Sequence, residues 1–196
     1  MGEESLWVGP SKCDEQRLAR ERDIEGVWDE LISTREYEET YPLLASALDL
    51  FREALSCYQN GAYMASALMC RASSEAAVYL LTSREIKGSK DWEAVREIKV
   101  DYNFINDEWG NILCRAKRYG YVSGELEQQL NKIREAGNFA AHYGRRLDKK
   151  LSTARKIKNR VQLWIGREDA RRTLYRTANL LKALMGKAFD KHVAPK

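Results

Sequence analysis

The stretch from residue 62 to residue 81, AYMASALMCRASSEAAVYLL, decides the fold class. Its Ala, Leu and Met residues fill a broad stripe at helical spacing, and only Arg71 and Glu75 within it carry charge. A helix with so wide an apolar surface has to be covered by other elements, so we expect it at the centre of the molecule. The sequence therefore predicts a helical fold assembled around this segment.

The neighbouring segments repeat the helical period. Leu44, Leu48, Phe51 and Leu55 recur at steps of three and four, and Pro42 is expected to open their helix because a first turn does not need its N–H. Similar patterns occur around residues 105–119, 126–140 and 168–189, and no convincing strand alternation is present. We predict an all-α, up-and-down helical bundle of four to five core helices with an extra N-terminal helix.

The charges are sorted along the chain. Residues 1–60 carry 14 Asp and Glu against 6 Lys and Arg, whereas residues 141–196 carry 4 against 16. We predict an acidic N-terminal helical appendage over residues 1–40 and a bundle domain over residues 41–190, with a basic insertion at about residues 145–160. The acidic end is either a separate appendage or a mask for the basic stretch, and the basic end suits an acidic partner.

Composition excludes several classes of protein. No apolar run is long enough to cross a bilayer and no secretory signal opens the chain, so we expect a cytoplasmic protein without membrane contact. The four cysteines form no C-x-x-C pair and there are only two histidines, so neither a metal site nor a cofactor is predicted. Cys57 and Cys70 lie in apolar helical patterns and are expected to be small buried hydrophobes.

Arg71 and Glu75 are the first residues of chemical interest. They lie one turn apart on the most apolar helix, where their side chains can meet. A charged pair is costly to hold in a core unless its hydrogen bonds are satisfied. Two interpretations remain open: a pair that joins helices at the edge of the bundle, and a polar lining of a cleft shared with a neighbouring helix.

Arg134, Asn138 and His142 form a second set, because steps of four put them along one side of a helix. Between them lies Gly137, which costs a helix interior about 1 kcal/mol relative to Ala and so suggests either close approach of another helix or simple tolerance of the glycine. His142 is a candidate catalytic residue because imidazole titrates near neutral pH. The alternative is that it caps the helix end.

The third set is the basic stretch between residues 145 and 160, where clustered Lys and Arg are rewarded by counterion release on binding phosphates. We predict nucleic-acid contacts there, although a solvated segment is the alternative and the pattern does not separate RNA from DNA. The candidate residues are Arg145, Arg146, Lys149, Lys150, Arg155, Lys156, Lys158 and Arg160.

The stretch Ile133-Arg134-Glu-Ala-Gly137-Asn138-Phe-Ala-Ala-His142 resembles a bacterial family of domains of unknown function that occurs alone and fused to type I restriction subunits. The segment from Arg52 to Ala76 and the Arg167-Glu-Asp-Ala stretch extend the resemblance to about residues 41–190. That family is placed in the HEPN superfamily, named for higher-eukaryote and prokaryote nucleotide-binding domains. The resemblance implies a helical bundle of four to five helices, often as a homodimer.

Many HEPN proteins are metal-independent ribonucleases, in which an arginine and a polar residue directly after it precede a histidine. Asn138 and His142 match the polar residue and the histidine, whereas Gly137 replaces the arginine. Arg134, on the same side of the helix, is the nearest upstream cation. The implied chemistry has neutral imidazole taking the proton of a ribose 2′-OH and guanidinium stabilising charge on the phosphoryl group.

These observations give one leading function and two alternatives. The leading prediction is a HEPN-like helical module, non-catalytic or weakly active, that binds RNA, another nucleic acid or a partner in a bacterial defence or regulatory system. The first alternative is a metal-independent endoribonuclease that uses His142, with Asn138 and Arg134 in its site. The second alternative is a purely structural dimerisation domain.

Overall fold

The computed structural model describes residues 12–33, 35–87, 109–141 and 165–192, and these residues form seven helices without any strand. The helices are α1 (Lys12–Asp23), α2 (Val27–Ile32), α3 (Arg35–Gln59), α4 (Tyr63–Lys87), α5 (Trp109–Arg118), α6 (Gly124–Ala141) and α7 (Arg167–His192). The predicted all-α class is confirmed. Within the described ranges, no helix is both long enough and apolar enough to cross a membrane.

Four long helices make the core, and α4 lies at its centre as predicted. It contacts α3, α6 and α7, while α7 also contacts α3 and α6. Small and medium apolar residues of α4, among them Ala67, Cys70 and Val78, are fully buried. Burial of a whole aliphatic side chain stabilises the folded protein by roughly 1.5–3 kcal/mol. The packing of these four helices therefore fixes the positions of α4 and α6, which carry the polar residues predicted from the sequence.

Cys70 and Cys57 differ in burial. Cys70 is fully buried, and this burial raises the pKa of its thiol to about 12. Cys57 is only partly buried, and desolvation raises the pKa of its thiol as well. The expectation of a small buried hydrophobe is therefore confirmed for Cys70.

The start of α3 differs from the prediction. Pro42 lies inside the helix, which begins at Arg35 rather than at the proline. Glu36 and Glu38 occupy the first turn, where carboxylates interact favourably with the positive end of the helix dipole. Pro42 lies beyond the first turn and cannot donate to the carbonyl of Glu38, so α3 continues through the proline at the cost of one backbone hydrogen bond, and the proline alone was a wrong marker of the boundary.

The N-terminal helices dock on the bundle through Asp23. Its carboxylate accepts hydrogen bonds from the Tyr58 hydroxyl and from Nε of Arg167, both at 2.6 Å, and its backbone oxygen accepts one from the Tyr175 hydroxyl at 2.9 Å. The bond from Arg167 lowers the pKa of Asp23. Ile24, Val27 and Leu31 are buried in the same core cluster. The predicted division at residue 40 falls within α3, and the division into appendage and bundle stays a prediction.

A short turn positions α6 after α5. Gly120 has a φ of +77°, a conformation that favours glycine, and the Lys187 ammonium on α7 donates to its carbonyl at 3.0 Å. Ser123 then caps α6, because its hydroxyl accepts the backbone N–H of Leu126 at 3.4 Å. The turn and the cap fix the point at which α6 begins.

Candidate functional site

The helices α4 and α6 are in close contact at Gly137, which is buried. A Cβ at this position would clash with Cβ of Arg71 and would lie 2.7 Å from its Cδ. Real Cβ atoms do not come this close to other heavy atoms, so only glycine fits without a shift of one helix. The close approach predicted from Gly137 is confirmed, and its partner is Arg71.

Arg71 crosses Gly137 and joins a set of polar side chains that we call the arginine–carboxylate cluster: Arg71, Glu75, Arg134 and Asn138. On α4, Nε of Arg71 donates to Oε1 of Glu75 at 2.9 Å. The same oxygen accepts a bond from Nε of Arg134 on α6 at 2.8 Å. A terminal nitrogen of Arg71 donates to Oδ1 of Asn138 at 2.7 Å. Two of these charge-assisted bonds tie α4 to α6, and the third orders the Arg71 side chain within α4.

Trp109 supports the cluster from a third helix. The guanidinium carbon of Arg134 lies 4.6 Å from the centroid of the indole ring, within the range of a cation–π contact. Trp109 begins α5 and reaches the cluster only through the tertiary fold, since no spacing in the sequence links it to Arg134. Sequence reasoning missed this residue. Its ring and the Glu75 carboxylate together fix the orientation of the Arg134 guanidinium.

The cluster carries two positive groups and one negative group, so its net charge is positive. The side chains of Arg71 and Arg134 are each 24% exposed and that of Glu75 is 27% exposed, which leaves them within reach of solvent. A guanidinium carries five N–H groups. The bonds within the described ranges use two of those on Arg71 and one on Arg134. An oriented pair of arginines of this kind suits a phosphate or another oxyanion.

Both interpretations of Arg71 and Glu75 find a physical basis in these contacts. Because the pair is bonded to Arg134 and Asn138, it holds α4 to α6. Because it is partly exposed, it also lines the surface between the two helices. The binding and catalytic roles of Arg71, Glu75, Arg134 and Asn138 stay predictions.

The remaining predicted residues lie outside the described residues. His142 follows directly after Ala141, the last residue of α6, and the eight basic candidates between residues 145 and 160 come after it. The cluster is close in sequence to the predicted basic stretch, because Asn138 precedes His142 and Arg145 by only a few residues.

The role of the site was also sought in metal-binding groups and in similarity to other proteins. In the described ranges, no group of three or more His, Cys, Asp or Glu side chains is arranged to hold a metal ion. Comparison of the chain with protein-family models, with curated proteins and with solved structures gives no match.

Proposed function

We propose that the protein is a nucleic-acid-binding helical module of the HEPN type, acting in a bacterial defence or regulatory system. One observation supports this most strongly: two arginines from two helices converge on the Glu75 carboxylate beside Asn138, at the end of α6 that leads into the basic stretch. The cluster supplies oriented N–H donors for a phosphate, and the stretch supplies further positive charge. A homodimer is part of the proposal, and solution scattering at several protein concentrations tests it.

A binding titration tests the proposal. Wild-type protein should bind labelled single-stranded RNA, and its affinity should fall steeply between about 50 and about 200 mM salt, because each phosphate contact releases counterions. The triple variant Arg71→Gln/Glu75→Gln/Arg134→Gln keeps hydrogen-bonding amides and lowers the net charge by one. We expect it to bind about tenfold more weakly, because the oriented phosphate contacts are lost.

Lys182→Gln is the matched control, because it removes one charge from an exposed position on α7. It should change the affinity by no more than about twofold, since a distant charge contributes only through the screened field of the whole protein. Thermal melts establish that both variants fold. The proposal would be refuted if wild-type protein at low salt bound neither RNA, single-stranded DNA nor duplex DNA. If the triple variant and the control bound with equal affinity, the arginine–carboxylate cluster would not be part of the binding surface.

The position of Arg71 favours a second candidate function, a metal-independent endoribonuclease. In the family that the chain resembles, an arginine stands where Gly137 stands here. Here Arg71 lies against Gly137 and bonds to Asn138, so a guanidinium reaches the neighbourhood of that position from α4. In this scheme His142 takes the proton of a ribose 2′-OH, the 2′ oxygen attacks phosphorus, the P–O5′ bond breaks, and the 5′ oxygen takes a proton from water. Arg71 stabilises the developing negative charge.

A swap of side chains tests this second function. Wild-type protein should cut RNA in EDTA and leave 2′,3′-cyclic phosphate ends, which mass spectrometry identifies. His142→Ala and Arg71→Gln should each abolish cutting, whereas Arg71→Gly/Gly137→Arg should retain it because the guanidinium is returned to α6. Equal cutting by the His142→Ala protein would exclude this mechanism.

A further inference from the structure

The N-terminal helix α1 differs from the other helices in how little of it is buried. From Cys13 to Asp23, every side chain is exposed or partly exposed, and that of Leu18 is 45% exposed. Even the short helix α2, by contrast, buries Val27 and Leu31. A helix of 12 residues without buried apolar side chains is marginal in water. The position of α1 therefore depends on its polar contacts with the bundle.

Two arginines in the first turns of α7 hold α1 in place. Nε of Arg167 donates to the Asp23 carboxylate at 2.6 Å, and a terminal nitrogen of Arg167 donates to the carbonyl of Ala19 at 2.9 Å. Nε of Arg171 donates to the carbonyl of Asp23 at 3.4 Å. From α1 itself, Nε of Arg20 donates to the carbonyl of the last residue of α3 at 2.7 Å. Polar bonds, rather than buried apolar groups, thus fasten α1 to the bundle.

Both arginines remain within reach of solvent while α1 is bound. The side chains of Arg167 and Arg171 are 45% and 41% exposed. Arg171 also lies 3.6 Å from the Glu168 carboxylate, and its guanidinium carbon is 5.4 Å from the centroid of the Tyr175 ring. Arg167 instead pairs with Asp23 of α1. Departure of α1 would take this counter-charge away from Arg167, and another anion could then replace it.

We propose that α1 is a strap that competes with the nucleic acid for the start of α7, and that it is released when a phosphate replaces the Asp23 carboxylate at Arg167. The inference rests on the proposed function, which supplies the competing ligand. Arg167 follows the predicted basic stretch by only a few residues, so the chain length keeps it within reach of a strand bound there. Release of the strap ends at Ile24, where burial in the core begins.

Hydrogen exchange of the full chain, followed by mass spectrometry, tests the strap. In the free protein the amides of α1 should exchange faster than those of α3 and α7, because α1 opens without unfolding the core. Saturation with oligouridylate should speed exchange in α1 by about fivefold more, since a ligand that competes with the strap favours its release. Exchange in α1 that stays unchanged or slows when oligouridylate binds would overturn the inference.

Two variants separate release of the strap from the charge that it covers. Asp23→Asn weakens the bond to Arg167, so exchange in α1 should rise about fivefold and oligouridylate should bind about threefold more tightly. Arg167→Gln should release α1 as well, but without tighter binding, because the cation itself is lost. Glu15→Gln removes the same charge as Asp23→Asn from an exposed position on α1 and should change the affinity by no more than about twofold. Equal affinities of Asp23→Asn and Glu15→Gln would contradict the strap.

The strap and the proposed function fail in different ways. If wild-type protein binds oligouridylate but exchange in α1 does not rise, the strap is overturned while the proposed function stands. If wild-type protein binds no nucleic acid at low salt, the proposed function fails, and heparin, a polyanion without bases, decides the strap. Faster exchange in α1 with heparin, absent from the Arg167→Gln protein, then supports it, and exchange that heparin leaves unchanged overturns it.

Discussion

Both flanks of α6 carry charged side chains, and the two sets differ in what their charges contact. On the α4 flank, the Glu75 carboxylate bonds to both Arg71 and Arg134, and Asn138 accepts a further bond from Arg71. On the α7 flank, Lys132, Arg172 and Arg176 line an open cleft of about 680 Å³ between α6 and α7, and Nε of Arg172 donates to the exposed Glu168 carboxylate at 2.9 Å within α7. One flank is thus organised by bonds between two helices, whereas on the other the Arg172–Glu168 pair stays within one helix beside an open cleft.

The side chains on the two flanks of α6 differ in how firmly they are held. The arginines of the cluster are held in place by a shared carboxylate and an indole ring, so they would meet a phosphate with little loss of side-chain entropy. Beside the cleft, Arg172 is bonded only to an exposed carboxylate of its own helix, Glu168, and a pair so exposed to water orders its side chains weakly. The three predictions below test this contrast through stability.

The largest expected effect is that of Gly137→Ala. Its added Cβ meets Cβ of Arg71, which is attached directly to the backbone of α4. A rotation of the Arg71 side chain cannot relieve this clash, so the two helices must move apart. We expect the free energy of unfolding to fall by about 3 kcal/mol, at the upper end of the usual cost of overpacking. Urea denaturation measures the change.

Gly186→Ala on α7 is the control for Gly137→Ala, because a Cβ there meets nothing within 4 Å. It should stabilise the protein by roughly 0.5–1 kcal/mol through helix propensity alone. The exchange Arg71→Gly/Gly137→Ala moves the glycine to the other side of the contact and should recover part of the loss. A Gly137→Ala protein as stable as Gly186→Ala would show that the two helices are not in fixed close contact.

The second effect compares carboxylates on the two flanks. Glu75→Gln leaves two partly buried guanidinium groups without their shared counter-charge, and we expect a loss of about 2 kcal/mol, less than for a fully buried pair because these groups remain partly exposed. Glu135→Gln, on the exposed cleft flank, should stay within about 0.5 kcal/mol of wild type. Similar losses in the two variants, measured by urea denaturation, would contradict the contrast between the flanks.

The sequence predicts what depends on one helix at a time. The apolar surface of residues 62–81 correctly placed α4 at the centre, and a spacing of four correctly put Arg134 and Asn138 on one side of α6. Gly137 indicated either a close approach or simple tolerance, and the contact with Arg71 confirms the first. In each case the periodicity of the helix carries the information.

What the sequence could not predict depends on how helices are rotated against each other. Nothing in the pattern shows that Arg71 faces Gly137, because these residues meet only when α4 and α6 pack. The contact of Trp109 with Arg134 is of the same kind. The cleft was missed because Phe139 on α6 and Arg176 on α7 come together across two helices whose own patterns read as ordinary amphipathic surfaces.

The smallest effect concerns the anchoring of α7, which forms one wall of the cleft. Its Arg167 is held by Asp23, and the pKa of that carboxyl is lowered in the folded protein. A lowered pKa means that the ionised form stabilises the fold above the unfolded pKa of about 3.9, and that this contribution disappears as the pH falls through the folded pKa. Asp23→Asn should therefore cost about 1 kcal/mol at about pH 7, because the bond to a half-exposed arginine is screened by water.

The difference between Asp23→Asn and wild type should shrink below about pH 4 as the wild-type carboxyl takes up its proton. Urea denaturation across this range measures it. Asp49→Asn serves as the control, because Asp49 and Arg52 form a longer pair at 3.8 Å with both side chains more than half exposed. A loss in Asp23→Asn that stays constant with pH would assign the anchoring to the shape of the side chain, whereas a loss confined to neutral pH assigns it to the charge. In the second case the charge of Asp23, on the N-terminal helix α1, anchors α7 through Arg167. The Glu75 carboxylate holds the arginine–carboxylate cluster in the same way.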